Sequence, residues 1–201
     1  LNMLPPLDKP SRGEILLDGE NIVEMKNRQL SQVRRDKIGF IFQEYNLLDN
    51  MTLQDNIALP LSLNGAKTGE ILKRVRETAA TFGLESHLGK YPYQLSGGQK
   101  QRAASARALI TNPRILFADE PTGALDSKSG KDLLCCLKAA NEAGKATIVM
   151  VTHDAYCASY AKQVYFLKDG RIQCCLNRQE SRKAFYDEIM AMLASMGGDQ
   201  E

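Results

Sequence analysis

Leu95-Ser96-Gly97-Gly98-Gln99 sets a hydroxyl and two glycines just ahead of Lys100-Gln101-Arg102 and an alanine-rich run over residues 103–109. That order predicts the start of a helix. Backbone N–H groups at a helix N-terminus, with no Cβ in the way, make a site for a phosphate. Downstream, Ile115-Leu116-Phe117-Ala118-Asp119-Glu120-Pro121 is an apolar run closing on two carboxylates. It predicts a buried strand whose carboxyl end carries both acids, at the edge where open α/β sheets place ligands. Adjacent strand residues point opposite ways, which would let Asp119 and Glu120 do different jobs.

At 201 residues, with 43% hydrophobic and 25% charged residues, the chain fits one globular domain or a core with an inserted subdomain. A net charge of +2 argues against a nucleic-acid binder driven by bulk electrostatics. The longest apolar runs, such as residues 148–151, are far too short to span a bilayer. The five cysteines (Cys135, Cys136, Cys157, Cys174, Cys175) lack zinc-ligand spacing and have only His87 and His153 as histidine partners. Reduced thiols are expected.

Residues 13–19 read as a strand bounded by turn residues, 27–36 as a short basic helix, and 38–42 as a buried strand ending at Gln43. From 47 to 111 the pattern is helical. Thr68 is placed to cap a helix whose Ile71, Leu72, Val75, Ala79 and Phe82 share a face and which Gly83 stops. Strands return at 114–118 and 146–151, on either side of an amphipathic helix over 129–143 that Gly144 ends. Such alternation predicts parallel strands joined by crossover helices. Residues 164–167 and 171–175 read as a hairpin turning at Asp169-Gly170. The stretch 181–196 is an amphipathic helix with Phe185, Ile189, Met192, Leu193 and Met196 on one side, packing on the domain or on a partner helix. The α/β chain thus divides into 1–46, an N-terminal part of the core; 47–111, a helical subdomain; 112–176, a C-terminal part of the core; and 177–201, a terminal helix.

The helix start at Leu95-Ser96-Gly97-Gly98-Gln99 and the strand end at Asp119-Glu120-Pro121, in this order and spacing, resemble the ATPase subunit of ATP-binding cassette (ABC) transporters. The likeness runs along essentially the whole chain. Residues 38–63, with Asp55-Asn56-Ile57 and Leu59-Pro60-Leu61, together with Tyr91-Pro92-Tyr93-Gln94 and Glu180-Ser181-Arg182-Lys183-Ala184-Phe185-Tyr186, look like a narrower group. That group is the ATPases of bacitracin-type antimicrobial-peptide transporters, relatives of the lipoprotein-release and macrolide-export ATPases. The resemblance implies a P-loop NTPase (RecA-like) core with an inserted helical subdomain and ATP and Mg²⁺ as cofactors. It also implies hydrolysis coupled to movement or removal of an antimicrobial peptide by a membrane permease.

Residue roles come with the resemblance. Asp119 would hold Mg²⁺, often through water, and Glu120 would polarise the attacking water as general base. Gln43 would reach Mg²⁺ and the same water. In Thr152-His153-Asp154, at the end of its strand, His153 would contact the γ-phosphate. Asp126 would lie in the loop linking the two active sites of a dimer. Ser96, Gly97, Gly98 and Gln99 would cap the nucleotide bound to a second, head-to-tail subunit. The implied partners are that subunit and the permease, with no nucleic acid and with membrane association only through the permease. The implied location is cytoplasmic, on the inner face of the membrane.

No G-x-x-x-x-G-K-S/T segment occurs in these residues. The family carries that loop early. Leu1-Asn2-Met3-Leu4 look like the helix following it, which Pro5-Pro6 would end abruptly. The chain is therefore read as a fragment whose first strand and phosphate loop lie upstream. Charge-assisted hydrogen bonds contribute roughly 1.5–3 kcal/mol each, so losing about four leaves a deficit on the order of 6–12 kcal/mol. These residues alone are expected to hydrolyse no ATP, while the full-length parent does. The alternative is a non-catalytic truncated cassette, an interaction module or gene remnant. An ABC-type ATPase working on DNA or ribosomes is disfavoured, because neither coiled-coil heptads nor a second signature is present. Ala103 and Ser105, where relatives carry larger aliphatics, predict looser packing of the helix after the signature.

Overall fold

The computed structural model describes residues 10–144 and 146–197; the expectations placed on Leu1-Asn2-Met3-Leu4 and on Pro5-Pro6 lie outside them. The chain forms two compact units, the first ending at Val151 and the second beginning at Thr152.

The first unit opens with a small antiparallel pair, β1 (Leu16–Leu17) and β2 (Glu20–Asn21). The strand expected over 13–19 is shortened to β1, and β2 lies beyond its bounding turn. Asp18 and Gly19 take φ of +52° and +82° and turn the chain in between. Helix α1 (Asn27–Lys37) then leads into β3 (Ile38–Ile41). Three helices follow, α2 (Leu53–Leu63), α3 (Thr68–Thr81) and α4 (Gly97–Leu109), and then β4 (Ile115–Asp119), α5 (Ser127–Glu142) and β5 (Thr147–Val151). The strands make a parallel sheet in the order β3-β4-β5, with Phe40 opposite Phe117 and Asp119 opposite Val151.

Strand alternation sorts the sheet's side chains onto two cores. Ile41, Leu116, Ala118, Ile148 and Met150 join Leu53, Ile57, Val75, Phe82, Ala106 and Leu133 from the helices. Ile38, Phe40, Ile115, Phe117 and Val149 face the other way, onto Leu30 and Val33 of α1. Helix α4 lies close on β3. A Cβ on Gly39 would stand 2.6 Å from the Ala108 carbonyl oxygen and 2.8 Å from Leu116 Cδ1. Ala103 and Ser105 are fully buried there. The close approach of the two backbones is at Gly39, which faces the Ala108 carbonyl.

Helix ends follow local chemistry. Thr52 caps α2, its hydroxyl accepting from the Asp55 N–H. Thr68 does not cap α3: it is already helical, and Lys67 holds the cap position without a side-chain bond. Val75, Ala79 and Phe82 are buried as expected, while Leu72 is exposed. Gly83 and Gly144, at φ of +61° and +69°, follow α3 and α5.

The second unit consists of α6 (Ala155–Ala158), the hairpin β6 (Gln163–Lys168) and β7 (Arg171–Asn177), and α7 (Arg182–Gly197). The hairpin turns at Asp169-Gly170, both at positive φ. Phe185 and Ile189 are buried with Ala155 and Phe166, and Met192 and Met196 pack beside them. Leu193 stands out of that stripe, 40% exposed. The Arg182 guanidinium lies over the rings of Tyr156 and Tyr160, 4.9 and 4.7 Å from their centroids. All five cysteines are free thiols. Among the described residues no helix is long and apolar enough to cross a membrane.

Candidate functional site

Two acids close β4, and they leave it differently. Asp119 is its last residue, paired with Val151. Glu120 steps out of the strand at φ +42° while its N–H donates to the Val151 carbonyl at 2.9 Å. That left-handed conformation costs a non-glycine residue on the order of 1–3 kcal/mol, and such strain concentrates at working sites. The pleat alternation expected to part the two acids therefore does not govern Glu120. The backbone turn does. The turn is tightened by the Gly123 N–H, which donates to the Glu120 carbonyl at 3.0 Å.

Gln43 comes to this same turn. A Cβ on Gly123 would stand 3.2 Å from Gln43 Nε2 and 3.4 Å from the Glu120 carbonyl oxygen. Gln43 is exposed and follows β3, and the chain after it is sharply shaped, with Tyr45 and Asn46 at φ of +48° and +49°. Asn56, fully buried on α2, anchors the next stretch. Its Oδ1 accepts from the Leu48 N–H at 2.8 Å, and its Nδ2 faces the carbonyls of Leu48, Met51 and Thr52 at 3.0–3.2 Å.

The start of α4 is exposed at Ser96, which forms a capping box with Gln99. The Gln99 N–H donates to Ser96 Oγ at 3.3 Å, and the Ser96 N–H donates to Gln99 Oε1 at 2.9 Å. Gln99 Nε2 in turn donates to His87 Nε2 at 2.9 Å. Accepting there requires a neutral imidazole carrying its proton on Nδ1, 3.0 Å from Ser86 Oγ. Burial first, then the charges of Lys90 and Arg102, hold the His87 pKa below its ordinary value.

Both signature glycines sit under neighbours. A Cβ would stand 2.9 Å from Tyr45 Oη at Gly97, and 2.6 Å from Ser129 Oγ at Gly98, which is buried. Ser129 Oγ donates to Asp126 Oδ2 at 2.7 Å, and the N–H groups of Lys128 and Ser129 donate to Oδ1, both at 3.0 Å. The Ser129 backbone bond above all, then its hydroxyl, keeps the Asp126 carboxyl below the usual range. Asp126 therefore caps α5 directly against the start of α4. The glycines serve that closeness as well as any ligand.

His153 belongs to the second unit. The strand ends at Val151, two residues earlier than the expected end at His153, which is exposed in the turn before α6. Asp154 caps α6, accepting from the Tyr156 N–H at 2.8 Å.

Asp119 and Gln43 offer the hard oxygen donors that Mg²⁺ takes. Among the described residues no group of three or more His, Cys, Asp or Glu could hold a metal ion. A cation at this site would draw the rest of its shell from water and a bound ligand, as Mg²⁺ commonly does with phosphates.

Three residues here escaped sequence reading: His87, Tyr45 and Gln101. Gln101 is fully buried, its Nε2 donating to the Phe42 carbonyl at 3.0 Å and to the Pro121 carbonyl at 2.9 Å. The available signal was spacing. Gly98, Gln101, Ser105 and Leu109 recur at helical intervals and form the buried stripe of α4.

Residues 1–123 match the ABC transporter family. The chain is 48% identical over 201 residues to the Bacitracin export ATP-binding protein BceA of Halalkalibacterium halodurans, covering all of this chain and 79% of that protein. It is 42% identical over 183 residues to the Macrolide export ATP-binding/permease protein MacB of Photorhabdus laumondii, covering 91% of this chain and 28% of that one. The dimeric structure of the ATP-binding cassette MJ0796 of Methanocaldococcus jannaschii, in a post-hydrolysis state bound to ADP and Pi, superposes with a TM-score of 0.79 at 40% identity. That match covers 90% of this chain and 79% of the other. The α/β fold is accordingly that of the P-loop NTPase cassettes, as the sequence predicts. From its signature helix, its strand-end acids and these relatives, the chain belongs to the ABC transporter family as an ATP-binding cassette.

Proposed function

We propose that this chain is the energy-coupling ATPase subunit of an exporter that moves or removes an antimicrobial peptide, working as a head-to-tail dimer beneath a membrane permease. One observation carries the catalytic part: Gln43 and the strained Glu120 meet at one turn, the Gly123 Cβ position lying 3.2 Å from the first and 3.4 Å from the carbonyl of the second. Glu120 accepts a proton from the attacking water, and the Gln43 amide orients that water. His153 donates to the phosphate charge that grows as the γ-phosphoryl leaves. Asp119 and Gln43 would hold Mg²⁺, which when bound would neutralise charge on the phosphate oxygens. Exposed Ser96 and the amides of Gly97 and Gly98 offer a helix N-terminus to the partner's nucleotide, with Gln99 and Asp126 fixing it. Residues 47–111 form the face toward the permease, between the core parts 1–46 and 112–176, with 177–201 as the closing helix. The similarity to the bacitracin-export protein supports a peptide substrate and a place on the inner face of the membrane.

The 201 residues contain no G-x-x-x-x-G-K-S/T segment, and by themselves they are expected to hydrolyse no ATP. The test is steady-state phosphate release from two proteins. One is the chain alone; the other is the chain joined to a strand-loop-helix segment bearing that motif. The joined protein is expected to turn over, and Glu120→Gln to reduce its kcat by about 10²–10⁴-fold, the scale of general-base loss. Glu120-dependent turnover by the chain alone would overturn the inactivity, and a joined protein that stays inert would overturn the ATPase reading.

A further inference from the structure

We propose that Gln101 is a positioning residue that links the signature helix to both catalytic loops of its own subunit. Its side chain leaves the buried face of α4 and spends both amide hydrogens on two loops remote in sequence. One acceptor is the Phe42 carbonyl at 3.0 Å, the residue before Gln43. The other is the Pro121 carbonyl at 2.9 Å, the residue after Glu120. The orientation of the amide is forced, since a flipped group would set its oxygen against two carbonyl oxygens. The side chain cannot swing out to solvent, because it is fully buried. Gln101 thus stands between the first turn of α4, which Ser96 and Gln99 cap, and the strained turn at Glu120.

The consequence is directional. A ligand that tightens or shifts the α4 N-terminus acts on a rigid helix, and Gln101 carries that displacement to Gln43 and Glu120 together. In a head-to-tail dimer, the nucleotide held by one subunit would set the water-handling residues of the other. That functional sense rests on the reading in the preceding subsection; the link itself does not, so its test uses no nucleotide.

The experiment is amide hydrogen exchange on the full chain in a double-mutant cycle of Ser96→Ala and Gln101→Met. Met keeps the volume and removes both donors. Ser96→Ala loosens the first turn of α4. Expected for Ser96→Ala alone is at least tenfold faster exchange at Thr122 and Gly123, a response that falls below twofold when Gln101→Met is already present. Gln101→Met alone should shift the side-chain amide resonances of Gln43 while the β5 amides keep their protection. Additive effects of the two changes, or an unmoved Gln43 amide, would overturn the proposal. Uniform loss of protection across β5 as well would also overturn it, because Gln101 would then be a core-filling residue only. A chain that keeps the link but fails the phosphate-release test would separate this proposal from the ATPase reading.

Discussion

His87 shows how a single side chain can tune a helix start. Its bond from Gln99 needs a neutral ring, and burial together with Lys90 and Arg102 resists its protonation. A histidine whose folded pKa is lowered binds its proton less tightly than in the unfolded chain. The stability it supports is complete above the unfolded value of about 6.5 and is lost as pH falls toward the lower folded value. Between about pH 7 and 5.5 the urea midpoint should therefore drop further for the native chain than for His87→Gln. Equal drops would show that His87 does not contribute. Glu120 and Gln101 differ in how plainly the sequence shows them. The carboxylate was readable because an apolar run ending in two acids and a proline has few other readings. Gln101 was not, because a glutamine among Lys100 and Arg102 looks like a solvated surface until the buried stripe it shares with Gly98 and Ser105 is seen in place.

At the scale of elements, the helices and parallel strands were legible because apolar periodicity survives in a single sequence. The misreadings share a cause: short elements are decided by turn chemistry that periodicity does not carry. Residues 13–19 hold a strand and its bounding turn, but the strand is only Leu16–Leu17, and its return partner Glu20–Asn21 is too short for periodicity to reveal. Thr68 carries a capping hydroxyl, yet the helix begins one residue earlier than that role requires. The approach of α4 to β3 was not legible either, since it depends on Gly39 facing the Ala108 carbonyl across the fold. Gly39→Ala should force that helix outward and cost about 1–3 kcal/mol, the range for overpacking. Denaturant unfolding gives the value, and a change under about 0.5 kcal/mol would mean that the interface yields freely.

For the whole molecule, the sheet of the first unit is covered on both faces, and the second unit closes its own core around Phe166, Phe185 and Ile189. The first unit carries an exposed capped helix start, a glutamine loop and a strained acid; in the proposed function the helix start and the acid are the two halves of a nucleotide clamp completed between two copies. If the halves are so shared, blocking hydrolysis should hold two copies together, and spoiling the helix start should release them. Sedimentation in ATP and Mg²⁺ tests this on Glu120→Gln in the chain joined to a phosphate-loop segment. The predicted result is an ATP-dependent dimer that becomes monomeric when Ser96→Arg is added. A protein that stays monomeric with ATP, or a dimer indifferent to Ser96→Arg, would contradict the shared clamp.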